Sequence, residues 1–156
     1  MSAPIPAVLF VCLGNICRSP LAEAAFRARA EAAGLAASAD SAGTGGWHVG
    51  AAPDARAQAV ARRRGIDIAG YGARQVEAAD FTRFTHIFAM DASNLTDLRR
   101  LAPRDATAHL ELLLDLVEGA RGRSVADPYY GGPEGFEATW RQVDAAAQAL
   151  VRRLQA

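Results

Sequence analysis

Residues 7–19 read Ala7-Val8-Leu9-Phe10-Val11-Cys12-Leu13-Gly14-Asn15-Ile16-Cys17-Arg18-Ser19, and Pro20 follows. Five apolar residues in a row, without polar alternation, mark a strand buried on both faces. That run ends at a cysteine. A short stretch rich in turn formers comes next, and then a helix opens. Ser19 is expected at its cap, Pro20 at its first helical position and Glu23 one turn in. A strand that feeds a helix through so tight a loop turns the loop N–H groups inward, where they can hold an oxyanion. The same N–H groups, the helix N-terminus and Arg18 favour the thiolate form of a cysteine set among them.

Outward from this segment, strand and helix alternate. Strands are predicted over Pro6–Cys12, Ala36–Thr44 and Phe84–Met90. Helices are predicted over Ser19–Ala33 with Gly34 beyond it, Pro53–Arg64 with Gly65 beyond it, Asn94–Leu101 with Pro103 beyond it, and Gly135–Leu154. Leu110–Leu116 is apolar and fits either type. On the last helix Phe136, Trp140, Val143, Ala147, Leu150, Val151 and Leu154 recur at helical spacing and are expected in the core. This alternation predicts an α/β fold, a parallel sheet with helices on both faces. The 156 residues suit one domain, 1–156. In such sheets ligands sit beyond the carboxyl ends of the strands. Cys12, the Asp40-Ser41 pair and Asp91 all fall at predicted strand ends, so they are expected to share one site.

Composition excludes several classes. Seventeen basic and seventeen acidic residues cancel, which leaves no electrostatic case for nucleic acid. The Arg62-Arg63-Arg64 run reads as a solvated helix end that suits the helix dipole. No stretch approaches the roughly 18 apolar residues that cross a bilayer. Ile5–Leu13 is too short and lacks a basic region before it, so neither membrane insertion nor a signal peptide is expected. Two cysteines five apart are no disulfide framework, and a reducing, cytoplasmic setting is expected. His48, His86 and His109 lack metal-ligand spacing. His86 is expected as a hydrogen-bonded core residue and His48 at a site rim beside Trp47.

The loop suits a phosphate dianion. Arg18 offers a planar fork that matches two phosphate oxygens. Leu13, Gly14, Asn15, Ile16, Cys17, Arg18 and Ser19 would contribute the cradle, with Gly14 and Asn15 tolerating unusual backbone angles. Cys12 beneath the phosphorus and Arg18 across the equatorial oxygens form the arrangement needed for in-line transfer to sulfur. The Ser19 hydroxyl can stabilise the thiolate when it leaves again.

Val8–Glu23 closely resembles the signature of the low-molecular-weight protein tyrosine phosphatases, in their bacterial form. Asp40-Ser41-Ala42-Gly43-Thr44, Ala73-Arg74-Gln75, Met90-Asp91-Ala92-Ser93-Asn94-Leu95 and Asp127-Pro128-Tyr129-Tyr130-Gly131 extend the resemblance over nearly the whole chain. The resemblance implies a single-domain three-layer sandwich. Its four-stranded parallel sheet would be flanked by helices in a flavodoxin-like arrangement, with no metal and no organic cofactor. It also implies hydrolysis of protein phosphotyrosine and small aryl phosphates through a phosphocysteine on Cys12. Arg18 would bind phosphate. Asp127, an Asp-Pro turn by its residues alone, becomes the general acid and base, with Asp91 next in line. Asn15, Ser19 and Ser41 would support the loop.

Ile16, Trp47, Tyr129 and Tyr130 are the expected substrate wall, and the paired tyrosines match positions phosphorylated in the family. Many relatives carry a histidine in the bracing network shortly before Ala73-Arg74-Gln75, where this chain has Tyr71. Either Tyr71 supplies a hydroxyl or the network is built differently. Cys17 either fills space behind the loop or forms a reversible disulfide with Cys12. The expected partner is a phosphotyrosine protein, a bacterial tyrosine kinase among the candidates, met by a monomer or weak dimer. Two other activities share the fold. A protein arginine phosphatase is associated with threonine at the position of Ile16. A thiol-dependent arsenate reductase would need an external thiol here, because no cysteine follows Cys17.

Overall fold

The computed structural model describes residues 5–156; residues 1–4 of the expected 1–156 domain lie outside the described residues. Strand β1 (Ala7–Cys12) packs Val8, Phe10 and Cys12 into one apolar cluster and Leu9 and Val11 into another. This alternation explains the uninterrupted apolar run, since both faces of the strand are covered. The remaining elements follow in order. They are α1 (Arg18–Ala32), β2 (Ser38–Gly43), α2 (Ala55–Arg62), α3 (Asp80–Arg83), β3 (His86–Ala89), α4 (Ala92–Leu101), β4 (His109–Leu112), a 3-10 turn (Leu113–Leu116) and α5 (Pro133–Gln155).

The four strands are parallel and ordered β2-β1-β3-β4. Residues of α1, α2 and α5 join Val8 and Phe10 on one face, and residues of α3 and α4 join Leu9 and Val11 on the other. The result is the three-layer α/β arrangement that the alternation predicts. β1 has β2 on one side and β3 on the other, so the chain reverses its direction of winding between β1 and β3. Cys12 ends β1 at that switch point, and Asp91 follows the end of β3 beside it.

Several predicted boundaries shift, each for a local reason. α1 begins at Arg18, with Cys17 at the cap position and no side-chain cap. Ser19 therefore lies inside the first turn and does not cap the helix. Its hydroxyl is held by Asn15 and Cys12. Asp54 and not Pro53 opens α2, accepting from the Arg56 N–H. Asp91 caps α4 through the Asn94 N–H, so that helix starts before Asn94. α5 starts at Pro133, two residues ahead of Gly135, with proline in the first turn where it lacks no bond. The ambiguous Leu110–Leu116 segment divides into the end of β4 and the 3-10 turn. The one-turn α3 was not predicted; four residues are too few to show a period. Among the described residues no helix is long and apolar enough to cross a membrane.

Candidate active site

The loop between β1 and α1 closes around the Cys12 sulfur. The Asn15 N–H points at Sγ from 3.3 Å. Asn15 takes the left-handed region, φ 58°, which an asparagine tolerates. Gly14 does not need positive φ. Its lack of a Cβ matters for space instead, because one would meet His48 Cδ2 at 3.0 Å. Among the described residues the N–H groups of Leu13, Gly14, Ile16 and Cys17 find no acceptor in the chain. Unpaired N–H groups grouped beside a helix N-terminus form an anion cradle.

Arg18 is 3% exposed, and a buried guanidinium needs partners. One edge has them: Nη1 donates to Asp91 Oδ2 at 2.7 Å and to the Val125 carbonyl at 3.2 Å. Nε and Nη2 make no hydrogen bond among the described residues, and Nη2 stands 3.7 Å from Asp127 Oδ2. That free edge is what a phosphate would take. Asp91 holds Arg18 with one oxygen and caps α4 with the other.

A chain of side-chain bonds braces the loop. The Arg74 N–H donates to Asn15 Oδ1 at 3.0 Å, which fixes the amide orientation. Asn15 Nδ2 then donates to Ser19 Oγ at 2.8 Å and to Ser41 Oγ at 3.0 Å. Both amide hydrogens are used, so each serine is left with its own hydrogen to give. Ser41 directs it at Glu23 Oε1, 2.8 Å away, and Ser19 Oγ shares a hydrogen bond with Cys12 Sγ at 3.0 Å. Glu23 lies one turn into α1, as expected. It is 4% exposed and also takes a bond from Arg27 Nε at 2.8 Å. Burial pushes its carboxyl above the ordinary value, against the pull of Ser41 and Arg27.

Tyr71 supplies no hydroxyl to this network; its alternative holds, and Glu23 ends the chain of bonds. Burial, with the Glu23 charge as a second cause, lifts the Tyr71 hydroxyl to about 12. Asp40 also departs from expectation. Its side chain turns away to Arg74 Nε at 3.0 Å, so only Ser41 of that pair serves the site.

Above the loop lies a cavity of about 280 Å³ lined by Cys12, Leu13, Gly14, Ile16, Cys17, Arg18, Trp47, His48, Asp127, Tyr129 and Tyr130. The expected wall, Ile16, Trp47, Tyr129 and Tyr130, is brought together with Cys12, Arg18 and Asp127. Trp47 lies back across Gly45, where a Cβ would collide with its ring. Tyr129 and Tyr130 pack edge to face, 4.9 Å between centroids, and Tyr130 is 95% exposed. His48 joins the lining. Both cysteines are free. Cys17 is buried against the core, and desolvation followed by the charges of Asp54, Cys12 and Asp127 raises its thiol to about 12. Among the described residues no three His, Cys, Asp or Glu side chains are grouped to hold a metal ion.

The low molecular weight phosphotyrosine protein phosphatase family model matches residues 7–156. A low molecular weight protein-tyrosine-phosphatase of Streptomyces coelicolor is 49% identical over 150 residues, covering 92% of this chain and 90% of that one. The crystal structure of YfkJ from Bacillus subtilis superposes with a TM-score of 0.90 at 44% identity, over 98% of this chain and 96% of the other. A Drosophila arginine phosphatase structure superposes with the same TM-score of 0.90 at 34% identity, over 96% of this chain and 98% of the other. With its cradle, its buried arginine and its braced cysteine in place, the chain belongs to the low molecular weight phosphotyrosine protein phosphatase family.

Proposed function

We propose that this chain hydrolyses protein phosphotyrosine and small aryl phosphates through a phosphocysteine on Cys12. The observation that carries this is a single cavity into which the Cys12 thiol, the free edge of Arg18 and the Asp127 carboxylate all open. The phosphate dianion rests in the N–H groups of residues 13–19 with Arg18 across its equatorial oxygens. The Cys12 thiolate attacks phosphorus, the bond to the aryl oxygen breaks, and Asp127 gives that oxygen its proton. Asp127, now a carboxylate, takes a proton from water as the water attacks phosphorus. The sulfur–phosphorus bond breaks, and the Ser19 hydroxyl donates to the departing thiolate. Phosphate leaves and the resting state returns.

Ile16 and the aromatic wall support an aryl substrate, because an aromatic ring gains by lying on apolar surface. The Drosophila neighbour keeps arginine phosphatase activity as a second reading. Ile16, with no hydroxyl to meet a guanidinium group, favours the first. The macromolecular substrate is a phosphotyrosine protein, a bacterial tyrosine kinase being one candidate, in a cytoplasmic setting. Cys17 serves as a protecting thiol: peroxide converts the Cys12 thiolate to a sulfenic acid, Cys17 sulfur attacks it, and water leaves as the disulfide forms. Turnover of phosphotyrosine, phosphoserine, phosphoarginine and arsenate by the parent and by C12S tests the proposal. Phosphotyrosine is expected to lead, and C12S to be inactive. Faster turnover of phosphoarginine, or arsenate reduction without phosphotyrosine hydrolysis, would overturn it.

A further inference from the structure

We infer that Arg56 is a positioning residue for Asp127: with Asp54 it clasps the segment that carries the acid to the loop that carries the nucleophile. The inference rests on the role proposed above for Asp127. Residues 127–132 have no helix or strand of their own. Their internal bonds are few: the Tyr129 N–H reaches Asp127 Oδ1 at 3.1 Å, and the Gly131 N–H reaches the Pro128 carbonyl at 3.0 Å. Arg56 reaches across from α2. Its Nη2 donates to the Tyr129 carbonyl at 2.9 Å and its Nη1 to the Gly131 carbonyl at 3.0 Å. Among the described residues no other side chain from outside the segment hydrogen-bonds to the backbone of 127–132.

The guanidinium is itself held on two further sides. Nε and Nη2 bind the two Asp54 oxygens, each at 3.0 Å, and the Phe136 ring lies 4.6 Å from Cζ. Asp54 then ties the clasp to the phosphate loop, because its own N–H donates to the Ile16 carbonyl at 2.9 Å. The Ile16 carbonyl and the backbone at Tyr129 and Gly131 are thus joined through one hydrogen-bonded pair, Asp54 and Arg56. A planar fork with donors on several edges can serve all these acceptors together, and a lysine ammonium cannot. The clasp is partly solvent-exposed, so its value lies in geometry and not in the strength of an exposed ion pair. Displacing a catalytic group by about 1 Å costs on the order of a hundredfold, which is the scale such a device controls.

The test uses leaving groups of different basicity. A nitrophenolate departs with little help, whereas phenolate needs the proton, so misplacing the acid penalises phenyl phosphate more. R56M keeps the side-chain length and the contact with Phe136 but loses both carbonyl bonds. It is expected to lower kcat/KM by about tenfold or more on phenyl phosphate and by less than about threefold on nitrophenyl phosphate. Inhibition by inorganic phosphate is expected to stay within about twofold, because the cradle and Arg18 are untouched. In a D127N background R56M is expected to cost nothing further. R56K, which serves only one acceptor at a time, is expected to show the same pattern and stands in if R56M fails to fold. Equal losses on the two substrates, or the same loss from R56M with and without Asp127, would overturn the clasp while leaving the proposed chemistry intact. D127N turning over phenyl phosphate like the parent would instead remove the acid role, and the inference with it.

Discussion

Asp91 Oδ2 accepts from Arg18 Nη1 at 2.7 Å while its Oδ1 accepts the Asn94 N–H at 2.7 Å. One carboxylate thus fixes both the Arg18 guanidinium and the first turn of α4. D91N keeps the shape but removes the charge and presents an N–H₂ to at least one of these donors. Losing a hydrogen bond between charged groups costs about 1.5–3 kcal/mol, so the phosphate inhibition constant should rise about ten- to a hundredfold. A steady-state inhibition assay measures this. An unchanged constant would mean that Val125 alone orients Arg18.

Asn15 Nδ2 donates to Ser19 Oγ, which leaves the Ser19 hydrogen free to donate to Cys12 Sγ, 3.0 Å away, whenever the sulfur is a thiolate. S19A should leave the fold unchanged and slow release of the thiolate from phosphocysteine. We expect phosphoenzyme to accumulate in rapid-quench experiments and kcat to fall about tenfold, the worth of one such bond to a charged sulfur. N15A, which frees both serines at once, should fall further. Equal activity of S19A and the parent would show that the loop N–H groups alone stabilise the leaving sulfur.

Asp127 has the plainest expected phenotype. D127N can neither give nor take the proton, and turnover should drop by about a hundredfold or more. Binding of phosphate or vanadate should persist, because the cradle does not involve its side chain. Loss of both together would mean that Asp127 shapes the pocket through its contact with Arg18, 3.7 Å away.

How far the site could be read in advance depended on how local its signals are. Cys12 to Ser19 lie within one loop, and strand, turn formers and helix start announced them together. Asp91 was visible as a strand-end carboxylate, but not which donor it would serve. Glu23 lies one turn into α1, but its spacing from Pro20 fits a solvated acid as well as a buried end of a network. Only the packing of α1 against β2 brings it to Ser41. Asp40 shares with Ser41 the predicted strand-end position that points to the site, yet neighbours on a strand face opposite ways and Asp40 meets Arg74 instead. The Asp54–Arg56 clasp spans 73 residues to Tyr129. Nothing in a linear pattern records such a contact.

The far end of the sheet carries a pair of histidines unrelated to the site. His86 and His109 are paired across β3 and β4, with ring centroids 6.0 Å apart. Burial first, then His109 and Arg153, hold His86 below its ordinary value of 6.5, against the pull of Glu111. A histidine depressed in the folded state is protonated more readily in the unfolded chain. Its contribution to stability is therefore present above about 6.5 and is lost as the pH falls below it. Denaturant midpoints should decline for the parent as the pH drops through that range, and less steeply for H86Q. Identical slopes would place the acid sensitivity elsewhere.

Burial sets Cys17 apart from Cys12, five residues before it. Burial and the surrounding negative charges of Asp54, Cys12 and Asp127 raise it to about 12, so at neutral pH it is a thiol and a poor nucleophile. Iodoacetate at pH 8 should therefore label Cys12 in the folded protein and spare Cys17, and should label both once the chain is unfolded. Peptide mass spectrometry distinguishes the two. On the proposed protecting role, peroxide would oxidise Cys12 first, and the Cys17 sulfur would then attack its sulfenic acid. C17A should therefore lose activity to peroxide at the parental rate but recover far less with dithiothreitol, because unprotected sulfenic acid proceeds to forms that thiols do not reduce. Equal recovery would make Cys17 a packing residue behind the loop.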